Sequence, residues 1–329
     1  METLGVHGDF FSHTSDNFQL IQDLCTKVIQ KGLAYVEDTP ADEVKRQRSE
    51  GIESKNRNRP IEENLRLWKD MQNAEPHALK LCIRAKMNMQ SPIKCQRDPV
   101  IYRVNLTPHH RTGTKFKVYP TYDFACPITD SLEGITHTMR TSEYHDRNEN
   151  YWWVLDACDM RKPKIEDYSR LNFVRTVLSK RRLQWFVDKG LVDGWDDPRF
   201  PTVQGIMRHG LTLEALKEFT IAQGGSKNTT LMEWDKLWAI NRGIIDPSSA
   251  RYTAVVNEKP ALFHLSDGPA QPEGRTIPKH RKTPSLGDKV VTFYKDILLE
   301  NDDARNIKAG EEVTLMNWGN AIVERYDLY

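Results

Sequence analysis

Charge of one sign, membrane-length apolar runs and paired cysteines are all missing from this 329-residue sequence. Lys plus Arg number 47 against 46 Asp plus Glu, so no global field announces a polyanionic partner, and any nucleic-acid contact must come from local basic patches. No apolar stretch approaches the roughly 18–20 residues of a membrane-spanning helix. The expectation is a soluble chain with no membrane partner. The five cysteines (Cys25, Cys82, Cys95, Cys126, Cys158) are odd in number, scattered and not preceded by a secretory signal. That usage predicts a reducing intracellular setting without a disulfide framework, and it leaves the Asn-x-Thr triplets at Asn105 and Asn228 as ordinary sequence. Cys82, Cys95, His109 and His110 share a region, but their spacing fits neither C-x-x-C pairs nor a short His closure, so no tightly bound metal is expected. Residues 1–14 also lack a first strand and a glycine-rich turn.

What is present suits two or three units of ~100–150 residues. Phe18, Ile21, Leu24, Cys25 and Val28 keep helical spacing between a Ser15 cap and Gly32, and Ala34 to Val36 follows as a short strand. Pro60 opens a second amphipathic helix through Leu65, Trp68 and Met71. Leu79 to Met87 alternates, which predicts a half-buried strand whose outer face is basic through Lys80, Arg84 and Lys86. Further strands are expected at Val100–Val104 and Phe116–Tyr119. Helices are expected over Lys180–Lys189, Thr202–His209, Thr212–Gln223 and Thr230–Asn241, with a rigid loop at 194–202. Short alternating segments at Tyr252–Val256, Leu262–Leu265, Val290–Tyr294, Val313–Met316 and Ile322–Glu324 suggest a closing β unit.

Candidate chemistry gathers between Val118 and Arg182, where strand-like pieces end three times in polar or basic residues. Open α/β sheets present ligand sites in this way. Ser179-Lys-Arg-Arg182 places a hydroxyl, cations and backbone N–H groups at a helix start, which attracts phosphate and equally suits a plain N-cap followed by a solvated turn. Arg140, ending the apolar Ile135–Met139, is read either as an ion pair with Glu143 or Asp146 or as a bidentate clamp on a ligand carboxylate. Tyr119 and Tyr122 divide between packing and a ligand-facing hydroxyl. His145 has no nucleophile in a partner motif and is expected to be structural or positioning. Pro278-Lys-His-Arg-Lys282 is a basic loop available for phosphate contact or for nothing specific.

Val177-Leu-Ser-Lys-Arg181 resembles the Lys-Met-Ser-Lys-Ser loop of class I aminoacyl-tRNA synthetases. Tyr119-Pro-Thr-Tyr-Asp-Phe-Ala125, Glu133-Gly-Ile-Thr-His137, Tyr168-Ser-Arg-Leu-Asn172 and Gly194-Trp-Asp-Asp-Pro-Arg199 are similar to blocks of the glutamyl/glutaminyl branch, over most of residues 1–256. Glutaminyl members carry Cys in place of Arg140 and Gln in place of Ile165, and the eukaryotic cytosolic glutamyl members look like this chain at both positions. A buried cation rewards a glutamate carboxylate and leaves a neutral amide poorly compensated, in keeping with that branch.

The resemblance implies an α/β architecture. A Rossmann-like catalytic domain would lie in 1–38 and 118–182, an α+β insertion for the tRNA acceptor end in 39–117, a helical stem-contact region in 183–250, and part of an anticodon-binding β-barrel in 251–329. It implies ATP-dependent ligation of L-glutamate to its tRNA through a glutamyl-adenylate, in the cytoplasm, with ATP and its Mg2+ as substrate. Tyr122 and Arg140 would bind glutamate, Arg170 and Leu171 would frame adenosine, and Ser179 and Lys180 would contact the phosphates and stabilise charge on them. Partners would be tRNA and other synthetases in a multi-enzyme complex. The family's His-Ile-Gly-His motif would lie upstream of Met1, so the sequence reads as a fragment whose own activity is expected to be impaired. The alternatives are an inactive truncated paralogue that binds tRNA, and a glutaminyl-tRNA synthetase.

Overall fold

The computed structural model describes residues 2–325. The chain forms two units, the first from Met1–Leu178 with Gln223–Glu233 and the second from Ser179–Ala222 with Trp234–Tyr329.

In the first unit, helix α1 (Phe18–Gln30) buries Phe18, Ile21, Leu24, Cys25, Val28 and Ile29, so the 3–4 spacing becomes one buried stripe. Its start differs from expectation. A short 3-10 turn at Thr14–Asn17 precedes it, with Asp16 returning to the His13 backbone, and Ser15 lies inside that turn. Gly32, at φ +70°, stops the helix as expected. Strand β1 (Ala34–Glu37) is followed by α2 (Ala41–Glu50), a highly charged helix that periodicity had not exposed, and by α3 (Ile61–Asn73), which follows Pro60. Strands β2 (Cys82–Ala85), β3 (Val100–Val104) and β4 (Val118–Pro120) join β1 in an antiparallel sheet of order β1-β2-β3-β4. Its apolar side and the faces of α1 and α3 make one core with Trp68, Ile83 and Tyr102, to which Phe124 and Val154 are joined from α4 (Tyr122–Leu132) and α5 (Asn148–Ala157).

The basic outer face of the second strand is not found. Arg84 is 0% exposed, because β2 lies inside the sheet with both faces covered. Its Nη1 donates to Glu37 Oε2 at 2.8 Å and its Nε to the Asp98 carbonyl at 2.8 Å. Glu37 also accepts from Thr39, Ser54 and Asn56. Asp98 accepts from Tyr35, Arg57 and the Met87 amide. An ion pair this dry is tolerated only when every remaining donor and acceptor is met, as here.

After α4 the chain forms β5 (His137–Thr141) and β6 (Lys164–Tyr168), a parallel pair connected through α5, and then β7 (Leu171–Phe173). The parallel partner of β7 is β8 (Thr230–Met232), far along the chain. Helix therefore does not begin at Thr230. Those three residues bond to β7, and the next helix starts only at Trp234.

The second unit contains α6 (Lys180–Asp188), α7 (Val203–Arg208), most of α8 (Leu213–Gln223), and α9 (Trp234–Ile245). The 194–202 loop is rigid for visible reasons. Asp197 is buried under a two-pronged contact from Arg199, and Thr202 caps α7 through the Gly205 amide. A Cβ on Gly205 would sit 2.5 Å from the Asp197 carbonyl oxygen. Beyond α9 come three antiparallel two-stranded ladders. They pair β9 (Ala261–His264) with β12 (Asp296–Leu299), β10 (Glu273–Pro278) with β11 (Asp288–Phe293), and β13 (Glu312–Leu315) with β14 (Gly319–Ile322). Tyr252–Val256 forms no strand, and among the described residues the ladders do not close into a barrel.

Burial opposes the charged form of Glu37, but hydrogen bonds from Thr39, Asn56, Arg84 and Ser54 outweigh it and hold the carboxyl below its ordinary range. Its contribution to stability is therefore present above the unfolded value of about 4.3 and lost as pH falls through the folded value. Arg84→Met should destabilise the first unit by about 3–5 kcal/mol at pH 7, because it strands a buried carboxylate. Urea midpoints should also fall less steeply on acidification in Glu37→Gln than in the parent.

Candidate amino-acid pocket

Parallel pairing of β5 with β6 places Arg140 in register with Asp167 and Thr138 with Ile165. Arg140 is 6% exposed. Its guanidinium lies 4.9 Å from the ring centre of Tyr144 and 5.3 Å from that of Tyr151. Nη1 donates to Asn148 Oδ1 at 3.4 Å. Among the described residues no Asp or Glu oxygen comes within 4 Å of it, so the expected ion pair with Glu143 or Asp146 is not made; Glu143 is 3.6 Å from Arg170 instead. A buried cation surrounded by two aromatic faces and a neutral amide keeps its charge available.

Tyr122, in the first turn of α4, stands 57% exposed and meets Tyr144 edge-on at 5.7 Å. The Cys126 thiol holds the phenol proton and, with burial, pushes the Tyr122 hydroxyl above its usual range, while the positive charge of Arg140 pulls the other way. Cys126 itself is pushed up to about 11, chiefly by burial. Tyr122 and Arg140 thus both meet the ring of Tyr144, with Cys126 beside Tyr122. Tyr119 does not join them. Its hydroxyl donates to the Phe116 carbonyl and its ring lies against His109.

Sequence reasoning missed the supports. Asp130 accepts from Tyr151 OH at 2.8 Å, from Thr138 at 3.2 Å and from the Cys126 thiol at 3.6 Å. Arg147 pairs with Asp123 and lies 5.2 Å over Tyr144. His145 Nδ1 is 2.6 Å from Asp167 Oδ2, and Asn148 Nδ2 donates to the same oxygen at 3.2 Å. His145 is thus held against a buried carboxylate.

Arg170 and Leu171 lie where β6 gives way to β7, with Arg170 exposed and bonded to Asn172. Ser179 and Lys180 belong to the second unit. Ser179 is the N-cap of α6, and its side chain makes no capping bond. Lys180, Arg181 and Arg182 are all exposed on the first turn. The Arg182 amide is already bonded to the Ser179 carbonyl at 3.0 Å, so the three exposed cations are the principal groups this helix start offers an anion. Among the described residues no group of three or more His, Cys, Asp or Glu is placed to hold a metal ion.

The geometry belongs with a known class of protein. A family profile described as tRNA synthetases class I (E and Q), catalytic domain, matches residues 1–247, and the corresponding anti-codon binding domain matches 249–327. The chain belongs to the class I tRNA synthetases of the E and Q group. It is similar to the cytoplasmic glutamate–tRNA ligase of Arabidopsis thaliana, 56% identical over 98% of this chain and 45% of that protein. The cytoplasmic glutamate–tRNA ligase of Saccharomyces cerevisiae is 50% identical over 99% of this chain and 46% of that protein. The bifunctional glutamate/proline–tRNA ligase of Drosophila melanogaster is 51% identical over 99% of this chain and 19% of that protein. The chain thus spans less than half the length of each of these relatives.

With its thiol pushed up to about 11, Cys126 carries little thiolate at neutral pH. At pH 8 its alkylation by iodoacetamide should be on the order of a hundredfold slower in the folded chain than after unfolding, read by mass spectrometry of the peptide containing Cys126.

Proposed function

We infer that this chain carries the glutamate-selecting wall and the phosphate-contacting helix start of a glutamate–tRNA ligase that works in the cytoplasm. The observation that carries this reading is Arg140, a buried guanidinium that no carboxylate among the described residues pairs with, near the half-exposed Tyr122. The side-chain carboxylate of L-glutamate supplies the missing charge in a fork-to-fork contact. L-glutamine offers only a neutral amide, which leaves the buried cation uncompensated, so the pocket disfavours the glutaminyl alternative.

In the reaction, the glutamate α-carboxylate attacks the α-phosphate of ATP and pyrophosphate leaves, giving a glutamyl-adenylate, and the terminal ribose hydroxyl of tRNA then attacks its acyl carbon and releases AMP. Mg2+ arrives with the ATP phosphates. Ser179, Lys180 and the amides of the first α6 turn are assigned to the phosphates, where positive charge aimed at developing negative charge lowers the barrier. Arg170 and Leu171 are assigned to the adenosine. The Rossmann-like catalytic parts are 1–38 and 118–182, and 183–250 contacts the tRNA stem. Residues 251–329, rich in short ladders, are assigned to a partial anticodon-binding barrel. The insertion at 39–117 is assigned to the acceptor end of tRNA. With Arg84 buried, that contact falls to exposed cations such as Lys80, Arg103 and Lys115. The bifunctional glutamate/proline relatives support association with other synthetases as part of the same reading.

Titration calorimetry of the chain with L-glutamate and with L-glutamine tests the pocket. Glutamate should bind at least about tenfold more tightly, and Arg140→Ala should remove that preference; equal affinity for the two amino acids would overturn the assignment. For tRNA, filter binding across a salt series should show log affinity falling steeply and linearly with log salt, with a shallower slope in the double variant Arg103→Ala, Lys115→Ala. A salt-independent affinity would remove the phosphate contacts from the reading.

A further inference from the structure

Among the described residues no acid touches Arg140, and three nearby acids are linked to it through one or two intervening residues. Asp167 is its register partner on the β5–β6 pair, yet Asn148 lies between them, accepting from Arg140 at 3.4 Å and donating to Asp167 at 3.2 Å. Behind Asp167, His145 Nδ1 closes at 2.6 Å. Asp130 is linked to the guanidinium through the hydroxyl and ring of Tyr151, and Asp123 through Arg147 and the ring of Tyr144. A direct carboxylate would occupy the guanidinium fork and cancel its charge, so it would compete with the ligand. An amide fixes the orientation of the fork and leaves the charge intact.

We propose that Asn148, Asp167 and His145 form a positioning arm for Arg140, in which His145 anchors Asp167, Asp167 orients the Asn148 amide, and Asn148 aims the guanidinium at the ligand carboxylate. This rests on the reading of Arg140 as the glutamate clamp. The arm has the right electrostatics to act at a distance. Burial opposes charge on Asp167, but hydrogen bonds from His145 and Asn148 prevail and hold its carboxyl below the usual range. Asp167 therefore stays ionised at neutral pH, fixing which end of the Asn148 amide faces Arg140: the NH2 toward the acid and the oxygen toward the cation. The outermost member, His145, is exposed and replaceable without disturbing the core.

The test is a set of glutamate affinities by calorimetry, with folding monitored by circular dichroism. Asn148→Ala and Asp167→Asn should each weaken glutamate about tenfold. His145→Ala should weaken it by a smaller factor, and His145→Gln, which keeps a hydrogen-bond donor, should restore it. In an Arg140→Lys background, where the planar fork is already gone, Asn148→Ala and Asp167→Asn should produce no further loss, because residues acting through one group are not additive. Full additivity in that background would overturn the arm while leaving Arg140 as the clamp. Failure of Arg140→Lys itself to weaken glutamate would overturn the clamp. The arm has a second, ligand-free readout in the side-chain Nε–Hε relaxation of Arg140 in 15N-arginine-labelled protein. Asp167→Asn should increase the mobility of that group, and an unchanged order parameter would overturn the arm whether or not glutamate binds.

Discussion

A guanidinium taken out of water must have its lost hydration replaced, and the first unit contains two that meet this demand in opposite ways. Arg84 is neutralised by Glu37 and by backbone carbonyls, so nothing about it is left for a ligand. Arg140 has two tyrosine faces and one amide. The first arrangement locks a sheet together, and the second leaves a cation that no described carboxylate neutralises. Much of the unit can be understood as the scaffolding each solution needs. The strand order β1-β2-β3-β4 surrounds Arg84 with partners, and the β5–β6 pair with α4 and α5 keeps three carboxylates close to Arg140 without letting one touch it.

That contrast also explains which parts were legible in advance. Helices α1 and α3 declared themselves through apolar spacing, because a stripe of Ile, Leu and Val at helical intervals has one cheap way to leave water. The alternation around Arg84 looked like a solvent-facing basic strand, since nothing local distinguishes an exposed arginine from one whose acid lies far away in the sequence. Glu37 and Arg84 are united only by the β1–β2 ladder. Helix α2 stayed hidden for a related reason. Its surface is nearly all charge, held by pairs such as Arg46 with Glu43 and Glu50, and it buries Gln47 alone.

At the pocket, the residues that touch a ligand in the proposed reading were visible as an arginine ending an apolar segment and a tyrosine beside a proline. Their supports were not. Asp130, Asn148, Tyr151 and Asp167 sit at unremarkable spacings and acquire meaning only when parallel pairing and the packing of α4 on α5 bring them together. Thr230–Met232 illustrates the same limit in secondary structure. A three-residue segment too short to declare itself became strand because β7 offered it hydrogen bonds.

That β7–β8 pairing has a consequence for how the chain comes to be folded. The chain leaves its first unit after Leu178, builds much of another, returns for Gln223–Glu233 and departs again. During synthesis from the N-terminus, the last strand of the first unit emerges only after α6, α7 and α8 have been made. Closing that long loop carries an entropic cost, which helix formation within the inserted stretch reduces by shortening the span to be closed. Completion of the β7 edge is in this sense a timing signal: it comes only once the intervening helical segment has left the ribosome.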